Sequence, residues 1–144
     1  KIKEIFAKLI NKHKIDGINI MEILKGEKVN PRKEFYYYYG NNNLEAVRKD
    51  NWKLILPHNS RSYKGVLPNN DGFPGNYNSI TTGLELYNLR RDPGEEYDVI
   101  KKYPNIAKEL EELAEKARSD MGDNLTGRNG INNRTHGKLW INTF

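Results

Sequence analysis

Three side chains in the stretch LPHNSRSYKG, His58, Arg61 and Lys64, are of types that hold anions and hydroxyls. An arginine fork can grip an anion at two oxygens, and a neutral imidazole can bond a hydroxyl. The competing reading is a solvated loop with an incidental histidine. Asp92, Glu95 and Glu96 gather around Pro93 and Gly94 and could suggest metal ligation. They follow a turn pattern, however, and lack the oxygen-rich spacing of a calcium loop. Tyr36 to Tyr39, with Trp52, could form a stacking platform, yet successive strand residues point to opposite faces, so only alternate tyrosines share a surface. Core and interface packing is the favoured reading, and Arg48, on a strand among apolar neighbours, reads as a structural ion-pair former. His13 and His136 have no partner pattern. Two Asn-x-Thr triplets, at Asn124 and Asn133, match a glycosylation acceptor, a match that Asn-rich chains make by chance.

Composition limits the chemistry further. The 144 residues suit one domain, 36% of them hydrophobic and 30% charged. A mean hydropathy of -0.88 points to a thin core with much loop. A net charge of +5 would permit polyanion binding, but the 24 basic residues are interleaved with 19 acids and form no run of five like charges, a poor signature for nucleic acid. The absence of cysteine excludes disulfides, thiolate zinc sites and a cysteine nucleophile within these residues. No apolar run approaches the ~18 residues of a membrane span. The first residues, KIKEIFAKLINKHK, scatter charge and lack a small-residue cleavage site, unlike a signal peptide. Opening on Lys rather than Met suggests a processed or excised piece.

The elements that must position these residues follow from periodicity. Ile2, Ile5, Phe6, Leu9 and Ile10 predict an amphipathic opening helix, and Ile20, Ile23 and Leu24 a second short one stopped at Gly26. EFYYYY predicts a strand over 34–39, and LEAVRKDNWKLILP a hairpin with arms 44–49 and 52–56 around Asp50 and Asn51. Residues 57–83 hold four Gly and three Pro without sustained periodicity and read as a long functional or disordered connection. GLELYNL predicts another strand. Pro104 opens a helix whose stripe is Ile106, Leu110, Leu113, Ala114, Ala117 and Met121, ending at Gly122. The polar tail reads as an extended or poorly ordered end, with Trp140 docking. The expected class is α+β: a small four-stranded antiparallel sheet against a long C-terminal helix, with an extra N-terminal helix.

The order and spacing of IDGINIMEILKGEKVNPR, the aromatic strand, AVRKDNWKLIL, LELYNLRRDPGEEYDV, YPNIAKELEELAEKA and GDNLTGR resembles the C-terminal subdomain of the arylsulfatase-type sulfatases, in the alkaline phosphatase superfamily. The likeness runs from about Ile15 to Arg128, and LELYNLRRDPGEEYDV is its most telling part. Asn88 departs from the family's usual Leu-Tyr-Asp-Leu at a turn edge. The resemblance implies a sheet and helix packed beside a large N-terminal domain that performs the reaction, with formylglycine made from the Cys or Ser of a Cys/Ser-x-Pro-Ser/Ala-Arg signature and with calcium held by Asp and Asn. This sequence lacks that signature; HNSR at 58–61 copies two letters of it without the proline or the nucleophile. The chain is therefore expected to hold no catalytic residue, metal or cofactor of its own and to be inactive alone.

The same resemblance implies residues 1–14 as a helix left from the catalytic domain and 15–122 as the subdomain, with 123–144 set apart by its composition as an extended polar tail. It implies a hydrolase of sulfuric esters, acting on sulfated carbohydrate in the periplasm or outside the cell, with His58 and Arg61 as substrate-binding residues and the missing domain as partner. Without that domain the opening helix would expose apolar surface that could pair two copies. Two other readings stand beside it: a free-standing basic module for sulfated or phosphorylated polymers, and a structural docking domain.

Overall fold

The computed structural model describes residues 17–27 and 31–133. The chain divides into two units, Lys1–Lys33 and Glu34–Phe144. In the first, helix α1 is a single turn, Met21–Leu24, followed by Gly26 at φ +88°, the left-handed conformation that glycine adopts without a Cβ penalty. Ile20, Ile23 and Leu24 are all exposed. The expected opening helix at 1–13 lies outside the described residues.

The second unit is built on an antiparallel sheet ordered β1-β2-β3-β6. Strand β1 is Glu34–Tyr39, β2 Asn43–Lys49, β3 Trp52–Ile55 and β6 Glu85–Asn88. The β2–β3 hairpin closes at Lys49↔Trp52 as expected, with Asp50 at φ +51°. On β1–β2 the register jumps from Tyr37↔Ala46 to Tyr38↔Leu44, so Glu45 is an extra, bulged residue. One sheet face carries Leu44, Val47, Leu54 and Leu86, all fully buried, and helix α2, Pro104–Met121, lies over it. The helix contributes Ala107, Leu110, Leu113, Ala114 and Ala117. Its three alanines lack the bulk that would hold helix and sheet apart. Ile106 and Met121, which periodicity placed in the stripe, flank this core half-buried, and Ala107 takes an inner place that periodicity did not give it.

The tyrosine run splits as strand alternation requires. Tyr36 and Tyr38 pack toward the helix, and the Tyr38 hydroxyl donates to the carbonyl of Gly122 at 2.9 Å. Burial pushes that hydroxyl up to about 12, and the Asp123 charge adds to the rise. Tyr37 packs edge-on to Phe35 at 4.8 Å and lies under the Lys53 ammonium. Trp52 and Tyr103, with ring centres 4.9 Å apart, pack against the core.

Two expectations need correction. The segment 57–83 contains a second antiparallel sheet, β4 His58–Ser62 with β5 Asn78–Thr82. Ile55 pairs with Glu85, so the chain leaves the main sheet after β3, builds this arm, and returns beside its point of departure. The arm eluded periodicity because its strands, HNSRS and NSITT, are polar on both faces. They are joined by side-chain bonds as well as backbone ones: Ser60 to Thr82 at 3.1 Å and Thr81 to Asn59 at 3.0 Å.

The second correction concerns the tail, which is not extended over 123–133. Gly122–Asp123 (β7) pairs with Arg128–Asn129 (β8) around a 3-10 turn at Asn124–Thr126. Asp123 is fully buried, and its carboxylate accepts from Leu44 N at 3.2 Å, Leu125 N at 3.0 Å and Arg118 Nε at 2.9 Å. A charge taken out of water is tolerated only when its oxygens are so occupied. Gly122 sits at φ +84° against the return strand, where a Cβ would meet Gly130 N at 2.7 Å and Arg128 O at 2.8 Å. Glu115 bonds both Arg128 and Arg118, which holds its carboxyl below the usual range. Trp140 and residues 134–144 lie outside the described residues. No described helix is long and apolar enough to cross a membrane.

Candidate functional site

The arm holds all three residues that the sequence singled out, but it separates them. His58 pairs with Thr82 and Arg61 with Ser79, three residues apart on one strand, so the two side chains leave opposite faces. The His58 ring turns inward and its side chain is only 8% exposed. Its Nδ1 lies 2.6 Å from the carbonyl of Leu56, and its Nε2 lies 3.3 Å from a carboxylate oxygen of Glu45. Because a carbonyl oxygen only accepts, Nδ1 must carry the proton and donate. Nδ1 is thus bonded within the chain, and Nε2 faces the Glu45 carboxylate, with which it pairs only when it too carries a proton. Glu45 is the bulged residue of β2, so this contact ties the root of the arm to the irregularity in the main sheet.

Arg61 is exposed, and its guanidinium lies 4.9 Å from the centre of the Tyr77 ring. Stacking on an aromatic face fixes the guanidinium plane while leaving its in-plane N–H groups free to donate. Tyr63 packs edge-on to Tyr77 at 6.3 Å, and Asn59 shares the strand face of Arg61. No carboxylate pairs with Arg61 among the described residues. Lys64 is exposed where the loop beyond β4 begins. That loop, 63–77, presents Leu67 and Phe73 to solvent.

The other candidates do structural work. Asp92 accepts from the backbone N–H groups of Glu96 and Tyr97, Glu95 bonds Lys53 at 2.7 and 2.8 Å, and no three acids or histidines among the described residues converge on a metal-sized space. The Arg48 side chain donates to the Asp50 carbonyl rather than to a carboxylate. Sequence reasoning missed Tyr77 beneath Arg61 and Glu45 beside His58. Tyr77 comes from the residue before β5 and Glu45 from the bulge of β2, and no local signal announces either.

Comparisons with known proteins bear on what this arrangement belongs to. No curated protein sequence matches the chain. The chain is similar to a solved Bacteroides thetaiotaomicron sulfatase structure, described with the metabolism of multiple glycosaminoglycans, at 25% identity and a TM-score of 0.49. That match covers 78% of this chain and 23% of the other, so this chain spans less than a quarter of that relative's length. The family model described as the C-terminal region of aryl-sulfatase matches residues 30–140, more than half of the chain. The chain belongs to the family of aryl-sulfatase C-terminal regions.

Proposed function

We propose that this region completes a sulfuric ester hydrolase acting on sulfated carbohydrate, with bond cleavage performed by a preceding catalytic domain and with the β4–β5 arm reading the substrate. The observation that carries the reading is an exposed arginine, oriented by a tyrosine ring and with no carboxylate partner among the described residues, on an arm of a sulfatase C-terminal region. Arg61 would hold the sulfate or an acidic sugar group at two oxygens, with Asn59 beside it to bond a hydroxyl. His58 acts at one remove: its ring, bonded to the Leu56 carbonyl and set against Glu45, fixes the angle of the arm. Calcium and formylglycine belong to the catalytic domain in this reading. The described carboxylates do not fit a calcium site, since Asp92 is already bonded to amides and Glu95 to Lys53, and no three ligand-type side chains among the described residues come together.

The test is kinetic and uses the full-length sulfatase that contains this region. Arg61→Ala should raise KM for a sulfated sugar roughly tenfold or more and change kcat little, the loss expected for a bond to a charged group that is made equally in the ground and transition states. An unchanged KM would leave the arm as a docking element only.

A further inference from the structure

Away from the arm, the connection from β6 to α2 encloses a hollow of about 180 Å³ lined chiefly by Asn88, Arg91, Asp92, Tyr97, Lys102 and Tyr103. Its walls are fixed before any ligand arrives. Asp92 accepts the N–H groups of Glu96 and Tyr97, Asp98 accepts those of Leu86 and Ile100, and Val99 N donates to Leu86 O at 2.9 Å. The Asp92 charge is therefore already directed at amides. Arg91 and Lys102, in contrast, pair with no carboxylate among the described residues, and the Lys102 ammonium lies 5.5 Å from the centre of the Tyr103 ring. Asn88 accepts from Arg90 N through its Oδ1, which leaves its amide N–H groups available. A smaller hollow of about 130 Å³ beside Trp52 shows the contrasting case: its lysine, Lys49, is already bonded to Glu109 at 2.5 Å.

We propose that the 180 Å³ hollow is a binding site for a sugar unit carrying one anionic ester group, sulfate or phosphate. Two unpaired cations can share the ester oxygens, the tyrosine rings supply apolar surface for the C–H face of the sugar, and the Asn88 amide can donate to a hydroxyl. The volume is more than a bare tetrahedral anion fills. The site depends on neither Arg61 nor a catalytic domain, so it stands or falls apart from the function proposed above. Contact with a single sugar unit limits affinity to the millimolar range.

The experiment is a ¹⁵N–¹H titration of the 144-residue chain with glucose 6-sulfate, glucose 6-phosphate, glucose and inorganic sulfate. At least one ester should produce saturable shifts centred on Arg91, Tyr97 and Lys102, with glucose and inorganic sulfate weaker by about tenfold or more, because each supplies only half of the contacts. The tighter ester identifies the source. Arg91→Ala with Lys102→Ala, both exposed, should abolish the shifts without disturbing the rest of the spectrum. Asn88→Asp, which places a carboxylate in the wall, should weaken them several-fold. The proposal is overturned if neither ester saturates, if glucose or inorganic sulfate binds equally well, or if binding survives in the double variant.

Discussion

The body of the second unit and its arm are both antiparallel sheets, yet different forces hold them. In the body, Leu44, Leu54, Leu86 and Leu110 are almost wholly buried between sheet and helix. In the arm no apolar residue is buried, and the inward His58 ring is its one well-covered side chain among those described; Ile80, Tyr63, Tyr77 and Phe73 are about half exposed or more, and the strands are joined by backbone pairing and hydroxyl and amide bonds. Apolar burial is non-directional and cooperative, whereas hydrogen bonds exchanged with water contribute about 1 kcal/mol each. The body should therefore unfold as a unit, with the arm opening locally well before it. A scaffold that keeps its shape while an arm offers side chains suits recognition.

The strongest challenge to this contrast is a pair of truncations. Leu54→Ala should lower unfolding free energy by up to about 5 kcal/mol, against about 0.5 kcal/mol or less for Ile80→Ala, read from urea denaturation. Equal losses would show that the arm shares the core. Next in size is Asp123→Ala, which removes one of the two carboxylate partners of Arg118 among the described residues and the acceptor of two backbone N–H groups, and should cost about 3 kcal/mol; a cost near zero would mean that the turn after α2 is not anchored to the sheet.

A pH experiment sharpens the contrast within the body. The Tyr38 hydroxyl is raised in the folded state from 10 to about 12, so its contribution is fully present below pH 10 and is lost as pH rises through 12. Stability in that window should fall less steeply in Tyr38→Phe, and ultraviolet titration should show a late-ionising tyrosine that the variant lacks. The smallest effect belongs to His58→Ala, expected to cost about 1 kcal/mol. It should speed amide exchange in β4 and β5 and leave α2 unchanged; acceleration throughout the molecule would deny the arm its separate status.

Legibility in the sequence follows the same division. The strand at 34–39, the 49–52 hairpin closure and the helix ending at Gly122 could all be read because each has a local cause: aromatic strand formers, turn residues that tolerate positive φ, an apolar stripe between Pro104 and Gly122. The arm could not, since HNSRS and NSITT lack apolar alternation and find each other across fifteen intervening residues. The tail failed for a related reason. Its polar composition reads as solvated, and only the three donors gathered around Asp123 turn a polar residue into a buried anchor. Arg61 was visible as an exposed cation, but nothing local placed Tyr77 beneath it or turned His58 inward.

What the sequence alone determined, then, is the layered α+β body and the family it resembles, because apolar periodicity and turn chemistry act over a few residues and survive in the linear chain. What only the tertiary structure decided is which polar side chains remain free. His58 and Arg61 are chemically alike as candidates on paper, and they part company because one strand turn sends the imidazole to Glu45 and Leu56 and the guanidinium to an exposed tyrosine face. A polar group's availability depends on which partners surround it, and two of these, Glu45 and Tyr77, come from segments more than ten residues away in sequence.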